Sequence, residues 1–293
     1  MELGVAFDEF FGAAAGESDR EAAVVVIAFD GDDGADAELG MANFSAEQGI
    51  GVGAAANRGA AESWRRRPTL RLARGGWLAW LCAVAVSLFL PETALIDLQR
   101  WRGVPSHFNH DTGFDVAVFD LMGILVLIVA LGIIVMTVWT FVSLRGPGSS
   151  TLAIRAGMVF LVIGQVLGFA IVTNGLGVDD LSRASIFGAA GEMKVPHAVA
   201  LHGLQALGLL ALILERTRLS ESRRTWLVFL GIAGYSLALI VATIQTFGGR
   251  APLDLTPLTV VGAGLGLLML AVAYVAGLRA AQATRAIGSM PAN

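Results

Sequence analysis

Long apolar runs separated by short polar connections occupy most of the chain. A helix that crosses a bilayer needs about 20 apolar residues. Six runs reach or approach that length, with their charged residues near the ends. The weakest is the first, which is interrupted by Pro91 and Glu92, and we expect it to continue through Ile96 with a kink at Pro91. The pattern predicts an all-α, six-helix transmembrane bundle with helices near residues 75–96, 114–144, 156–173, 197–214, 226–247 and 257–278.

Residues 1–63 have a different pattern. They hold thirteen acidic residues against two arginines, and a single β-like run over 22–29 with no evident partner strand. A lone strand cannot bury a core, so this composition predicts a mostly disordered, acidic cytoplasmic tail. The expected organisation is therefore this tail, a transmembrane domain over 64–285 and a short C-terminal tail over 286–293.

The basic residues predict an orientation. Thirteen arginines flank one side of the helices and five basic residues flank the other, and basic residues are enriched on the cytoplasmic side. Both termini are therefore expected in the cytoplasm of a bacterial inner-membrane protein, with the connections 91–113 and 174–196 outside. The thirteen are Arg65, Arg66, Arg67, Arg71, Arg74, Arg145, Arg155, Arg216, Arg218, Arg223, Arg224, Arg279 and Arg285.

Composition excludes several classes of protein. The chain is 55% hydrophobic and 15% charged with a net charge of −4, which argues for a lipid bilayer as its environment and against a nucleic-acid partner. Its mean hydropathy is +0.69. Cys82 is the only cysteine, which excludes an intrachain disulfide and a cysteine zinc cluster. Lys194 is the only lysine and is predicted in a connection, so a retinal-binding lysine inside a helix is excluded.

The histidines are grouped at the predicted outer ends of the second and fourth helices: His107, His110, His197 and His202. Asp115 falls in the first turn of the second helix. A carboxylate there interacts favourably with the positive end of the helix dipole, so Asp115 needs no other role. Asp120 lies deeper, where an unpaired carboxylate is costly. His202 is expected to point into the bundle, with Gln205 three residues later on the same face.

These side chains form one candidate ligand-binding pocket: His107, Asp115, Asp120, His197, His202 and Gln205. The favoured interpretation is a membrane protein that binds or conducts a small solute, ion or cofactor at this outer pocket. The first alternative is a membrane-embedded metalloenzyme or haem protein, in which imidazoles and a carboxylate hold Zn, Fe or Mn, or His202 is an axial haem ligand. The second alternative is a structural protein in which the side chains only tie the outer connections together. The candidate metal ligands are His107, His197, His202 and Asp115.

Two G-x-x-x-G spacings predict close helix packing. Gly164 and Gly168 lie in the third helix, with Gly157 seven residues before Gly164, and Gly262 and Gly266 lie in the sixth. Small residues at this spacing let two helix backbones approach closely. We expect them to pack helices within the bundle and not to form a dimer seam.

Two motifs resemble a family of uncharacterised bacterial multi-pass membrane proteins over residues 75–278: Ser106-His107-Phe108-Asn109 with Phe114-Asp115, and Val195-Pro196-His197 with Leu201-His202-Gly203-Leu204-Gln205. The resemblance implies shared positions at His107, Asp115, His197 and His202. The chain departs from the family pattern at His110, and at Gly113, where proline is usual. The resemblance implies the multi-pass architecture and no particular reaction.

Overall fold

The computed structural model describes residues 23–29, 36–43, 71–73, 84–85 and 87–288. The chain divides into two compact units. One comprises Met1–Ala79 with Ser143–Pro147, and the other comprises Trp80–Val142 with Gly148–Asn293. We treat each unit by itself.

The first unit holds an antiparallel sheet of four strands in the order β1-β2-β3-β4. These are β1 (Ala23–Phe29), β2 (Asp36–Asn43), β3 (Arg71–Ala73) and β4 (Leu144–Arg145). The run over 22–29 is thus a strand, but it differs from the expectation in having a partner along its whole length. The partner was missed because β2 contains acidic residues and glycine, which have low β propensity. Most of the predicted disordered tail lies outside the described residues.

The described residues of the second unit include seven helices of eight or more residues. They are α1 (Phe89–Trp101), α2 (Gly113–Ser143), α3 (Gly148–Gly175), α4 (Lys194–Leu201), α5 (Gly203–Glu215), α6 (Glu221–Phe247) and α7 (Pro257–Gly288). Among the described residues, five helices are long and apolar enough to cross a membrane: Gly113–Ser143, Gly148–Gly175, Lys194–Glu215, Glu221–Phe247 and Pro257–Ala286. The last five predicted spans are therefore confirmed as helices of membrane-spanning length and composition.

The first predicted span, 75–96, lies largely outside the described residues. Its described part is α1, which continues to Trp101 and not only to Ile96. Pro91 lies in the first turn of α1, just after a turn at Leu88 that separates α1 from the helical residues Val84 and Ala85. A first turn tolerates proline because its N–H groups have no partner within the helix. The helix extends past Ile96 because Gln99, at its far end, bonds to α2.

Three connections meet at one end of the helix bundle, which we call the rim: residues 102–112, 176–193 and 248–256. The second connection contains a short 3-10 helix, Leu181–Arg183, and a two-stranded hairpin of β5 (Ile186–Phe187) and β6 (Gly191–Glu192). It bonds to the third connection through the Ala190 N–H and the Gly249 carbonyl, 3.0 Å apart. The rim is therefore a packed cap over the helix ends.

Glycines of α3 lie where α4 and α5 pack closely against that helix. A Cβ built on Gly157 would lie 2.6 Å from the Cα of Leu204, and one on Gly164 would lie 2.7 Å from a methyl carbon of Leu201. One on Gly168 would lie 2.9 Å from Cε1 of His197. The prediction of close packing within the bundle is confirmed. Gly262 and Gly266 of α7 pack in the same way against α6.

The junction between α4 and α5 is held by a tyrosine of α6. Tyr235 donates its hydroxyl to the carbonyl of Val199 at 2.5 Å, and Val199 lies one turn before Gly203, where α5 begins. Insertion of a side chain into a helix ladder is a known cause of a local break. Tyr274 of α7 donates to the carbonyl of Ala206 in the same way. The two tyrosines thus fix α4 and α5 between α6 and α7.

We expect Gly157→Ala to destabilise the bundle by about 1–3 kcal/mol, because the new methyl group meets the backbone of Leu204 and that backbone cannot rotate away. The measurement is unfolding in mixed detergent micelles with increasing SDS. The matched control is Gly208→Ala in α5, where a Cβ meets nothing within 4 Å. Equal stability of the two variants would contradict the role of Gly157 in close packing of α3 against α5.

Candidate functional site

The rim brings together the two stretches that carry the histidines. The ring of Phe108 packs against Gly175 at the end of α3, where a built Cβ would lie 2.3 Å from the ring. Lys194, at the start of α4, is near enough to His107 to act on its pKa electrostatically. Glu192 accepts a hydrogen bond at its carbonyl from the Thr246 hydroxyl at 3.1 Å. The connections 102–112 and 176–193 therefore lie at the same end of the bundle.

The Ser-His-Phe-Asn motif is a tight turn built around a strained phenylalanine. Phe108 has a φ of 58°, in the left-handed region that non-glycine residues rarely adopt. Its ring is buried against Gly175 and lies 5.2 Å from the ring of Phe119. Asn109 supports the turn by accepting a hydrogen bond from the Asp111 N–H at 3.0 Å. Strain of this kind persists only where the surrounding packing enforces it.

Two imidazoles flank one phenyl ring at the rim. His107 and His110 lie with their ring centroids 6.5 and 5.6 Å from that of Phe119, both edge-on. Nδ1 of His107 is 2.9 Å from the hydroxyl of Ser106. Burial of His107, followed by the charge of Lys194, lowers the pKa of the imidazole below its ordinary value of 6.5. These surroundings therefore favour the neutral form of the His107 imidazole.

Asp115 is a buried carboxylate that pairs with Arg102, the residue that follows α1, and bonds to Gln99 of α1. The residue is 1% exposed, and its carboxylate accepts hydrogen bonds from Arg102 at 2.5 Å, from Gln99 at 2.9 Å and from the Thr112 hydroxyl. The same Arg102 nitrogen also donates to the side-chain oxygen of Gln99. The guanidinium lies 4.7 Å from the ring centre of Phe114. Asp115 is thus more than a first-turn carboxylate, because it joins two helices.

A second buried acidic residue, which the sequence does not mark as functional, lies on the same face of α1 as Gln99. Glu92 is 9% exposed, and its carboxyl group makes no hydrogen bond or ion pair with any residue that the structure describes. It lies seven residues before Gln99, so both side chains share one face of α1. We call the set the polar row: Glu92, Gln99, Arg102, Thr112 and Asp115. The signal that could have found it is the seven-residue spacing of Glu92 and Gln99.

His197 is engaged by α3 and lies below the rim. Its Nδ1 is 2.8 Å from the carbonyl of Gly164, and its ring packs on Gly168. Gly168 is seven residues before Gly175, against which Phe108 packs, a separation of about 10 Å along the helix. His197 and His107 therefore occupy different levels of the bundle.

Three predicted pocket residues lie on the outside of the helices: Asp120, His202 and Gln205. Asp120 follows the buried Asp115 by five residues, which turns it about 140° around α2. The expectation that His202 points into the bundle is wrong, because the His202 side chain is exposed. Gly203, Leu207 and Leu210 form the buried face of α5, and His202 and Gln205 lie off that face.

The candidate metal ligands do not meet at one point. The described part of the chain contains no group of three or more His, Cys, Asp or Glu side chains arranged to hold a metal ion. The Asp115 carboxylate accepts from Gln99 and Arg102, and His197 bonds to a backbone carbonyl, so both are already engaged by other partners. No protein-family model, curated protein or solved structure matches the chain. The buried acidic side chains of this region are Glu92 on α1 and Asp115 on α2.

The lowered pKa of His107 predicts a pH-dependent stability. The unfolded imidazole titrates near 6.5 and the folded one below that value, so the unfolded state binds more protons as pH falls below about 6.5. We expect the melting temperature to fall between about pH 7.5 and pH 5.5, and His107→Gln to reduce this dependence. The measurement is thermal unfolding of both proteins across that range. Parallel profiles for the two proteins would contradict the prediction.

Proposed function

We propose that the chain forms a six-span protein of the bacterial cytoplasmic membrane that carries a small ion through the polar row between α1 and α2. The observation that carries this proposal is the burial of two acidic residues, Glu92 of α1 and Asp115 of α2. Gln99 lies on the same face of α1 as Glu92, and its amide bonds to Asp115. Ionisable side chains inside a membrane bundle are rare, because their burial is costly, and they commonly mark ion or proton pathways.

The six-span count is supported by two contacts between the first helix and α2. Ala85 packs on Gly132, where a built Cβ would lie 2.8 Å away, and Gln99 bonds to Asp115. From Ala85 to Gln99 the chain therefore runs antiparallel to α2, over about 20 Å at a helical rise. The apolar residues 75–84 precede this stretch and supply the remaining length. With six spans, the arginine distribution favours a topology in which both termini are cytoplasmic and the rim is outside.

A structural role is the second candidate, favoured by the saturation of Asp115. Four hydrogen bonds link its carboxylate, Gln99, Arg102 and Thr112, which suits a clamp between helices as well as the mouth of a pathway. Glu92 distinguishes the candidates, because a clamp has no need of a buried carboxyl without a partner. The resemblance of the rim motifs to uncharacterised multi-pass proteins fits either role.

Single-cysteine labelling tests the topology. In a Cys82→Ala background, we expect a membrane-impermeant maleimide to label Asp111→Cys in intact cells, because this exposed rim residue faces outward. Ser63→Cys and Ser222→Cys are expected to react only after the cells are permeabilised. Labelling of Ser63→Cys in intact cells would mean five spans, since an odd number places the tail on the same side as the rim.

Ion flux into proteoliposomes tests the function. We expect the wild-type protein to raise the flux of H⁺, Na⁺, K⁺ or Cl⁻ above that of protein-free liposomes. Gln99→Leu removes a hydrogen bond to a charged group, worth about 1.5–3 kcal/mol, and is expected to slow that flux about tenfold or more. The measurement uses trapped ion-sensitive dyes under an imposed gradient.

The matched control for this assay is Asp97→Asn, which removes a carboxylate from the exposed side of α1 and is expected to keep wild-type flux. Wild-type flux no greater than that of protein-free liposomes for all four ions would overturn the proposed function. A Gln99→Leu protein with lower thermal stability and unchanged flux would favour the structural role.

A further inference from the structure

We propose that Glu92 is a proton-binding site within the membrane, so that the ion handled by the polar row is a proton. The inference rests on the proposed function for the route that the proton takes, whereas proton binding by Glu92 can be tested without transport. In the proposed step, a proton from water at the rim adds to a carboxylate oxygen of Glu92 and later leaves from it. As the O–H bond of Glu92 forms, an O–H bond of a hydronium ion breaks and leaves water, and release reverses this exchange without any change of oxidation state.

The depth of Glu92 follows from the antiparallel contact of α1 and α2. Gln99 bonds to Asp115, and Glu92 lies seven residues from Gln99 as Met122 lies seven residues from Asp115. Glu92 is therefore level with Met122, about 10 Å below the ion pair. Met122 is 2% exposed and Val118 is 4% exposed, so the facing side of α2 is apolar and closely packed at this level.

A carboxyl in this position is much less costly when it is neutral. Burying an isolated carboxylate is far more costly than burying a polar group that can lose its charge. The charged groups nearest along the row are Asp115 and Arg102, which neutralise each other at the rim. Asp97 and Asp120 lie on exposed faces of α1 and α2. No described cation is therefore paired with Glu92 to hold it ionised.

The ligand set favours a proton over a metal cation. Calcium takes six to eight oxygen ligands, and magnesium requires a near-octahedral shell. In the described part of the row, Glu92 has no second carboxylate beside it, and the side-chain oxygen of Gln99 already accepts from Arg102. A single carboxyl group suffices for a proton. The Gln99 amide lies between Glu92 and the rim and provides polar atoms on that side.

A hydrophobic carbodiimide tests the proposal, because it reacts with protonated carboxyl groups within the membrane. We expect dicyclohexylcarbodiimide to modify Glu92 in native membranes at about pH 6, and the modification to fall about tenfold for each pH unit above the carboxyl's own titration. Peptide mass spectrometry of the wild-type protein locates the adduct, so the result does not depend on any variant folding. A water-soluble carbodiimide is expected to modify exposed carboxyls such as Asp97 and to spare Glu92.

Variants make the assignment specific. Glu92→Gln is expected to abolish the adduct, Glu92→Asp to retain it, and Asp97→Asn to leave it unchanged. Absence of the adduct from Glu92, or an adduct that does not vary with pH, would overturn the inference even if the protein conducts another ion. A pH-dependent adduct in a protein without flux would keep the inference and refute the proposed function.

Discussion

The contact between Asp115 and its donors sets the geometry of the first two helices. A carboxylate that is 1% exposed must be paired, and Arg102 and Gln99 supply the donors from the end of α1. Because Gln99 is thereby held against α2, the register of the whole contact follows. Glu92 falls level with Met122, and Ala85 falls near Gly132. The buried carboxyl and the ion pair at the rim are therefore parts of one helix contact.

A different kind of contact holds the remaining helices. Association of helices in lipid gains little from apolar burial, so close approach and hydrogen bonds must stabilise it. The glycines of α3 provide the close approach, and the hydroxyls of Tyr235 and Tyr274 provide hydrogen bonds to α4 and α5. His197 belongs to this contact, because its ring packs on Gly168 and its nitrogen bonds to Gly164. Packing against α3 therefore accounts for His197 in the Pro196-His197 motif.

The candidate site was predictable only in part, and particular residues explain why. The grouping of the two motifs at one end followed from the even number of helices between them and was visible in the sequence. Asp115 was noted as a first-turn carboxylate within the Phe114-Asp115 motif, but nothing in the sequence marked Arg102 as its partner. Glu92 was treated as an interruption of a weak span. The role of Glu92 depends on which neighbouring side chains bury it, and the tertiary packing decides which side chains those are.

The sequence by itself determined five segments that form helices of membrane-spanning length and composition, and which small residues let helices approach closely. Length, apolar content and small-residue spacing are local properties. The tertiary structure decided which polar residues face inward. A helix that is apolar all round has no periodic pattern to mark its buried side, since lipid and protein neighbours are equally apolar. Helix rotation therefore placed Asp115 and Glu92 inside, and left Asp120, His202 and Gln205 on the outer surface.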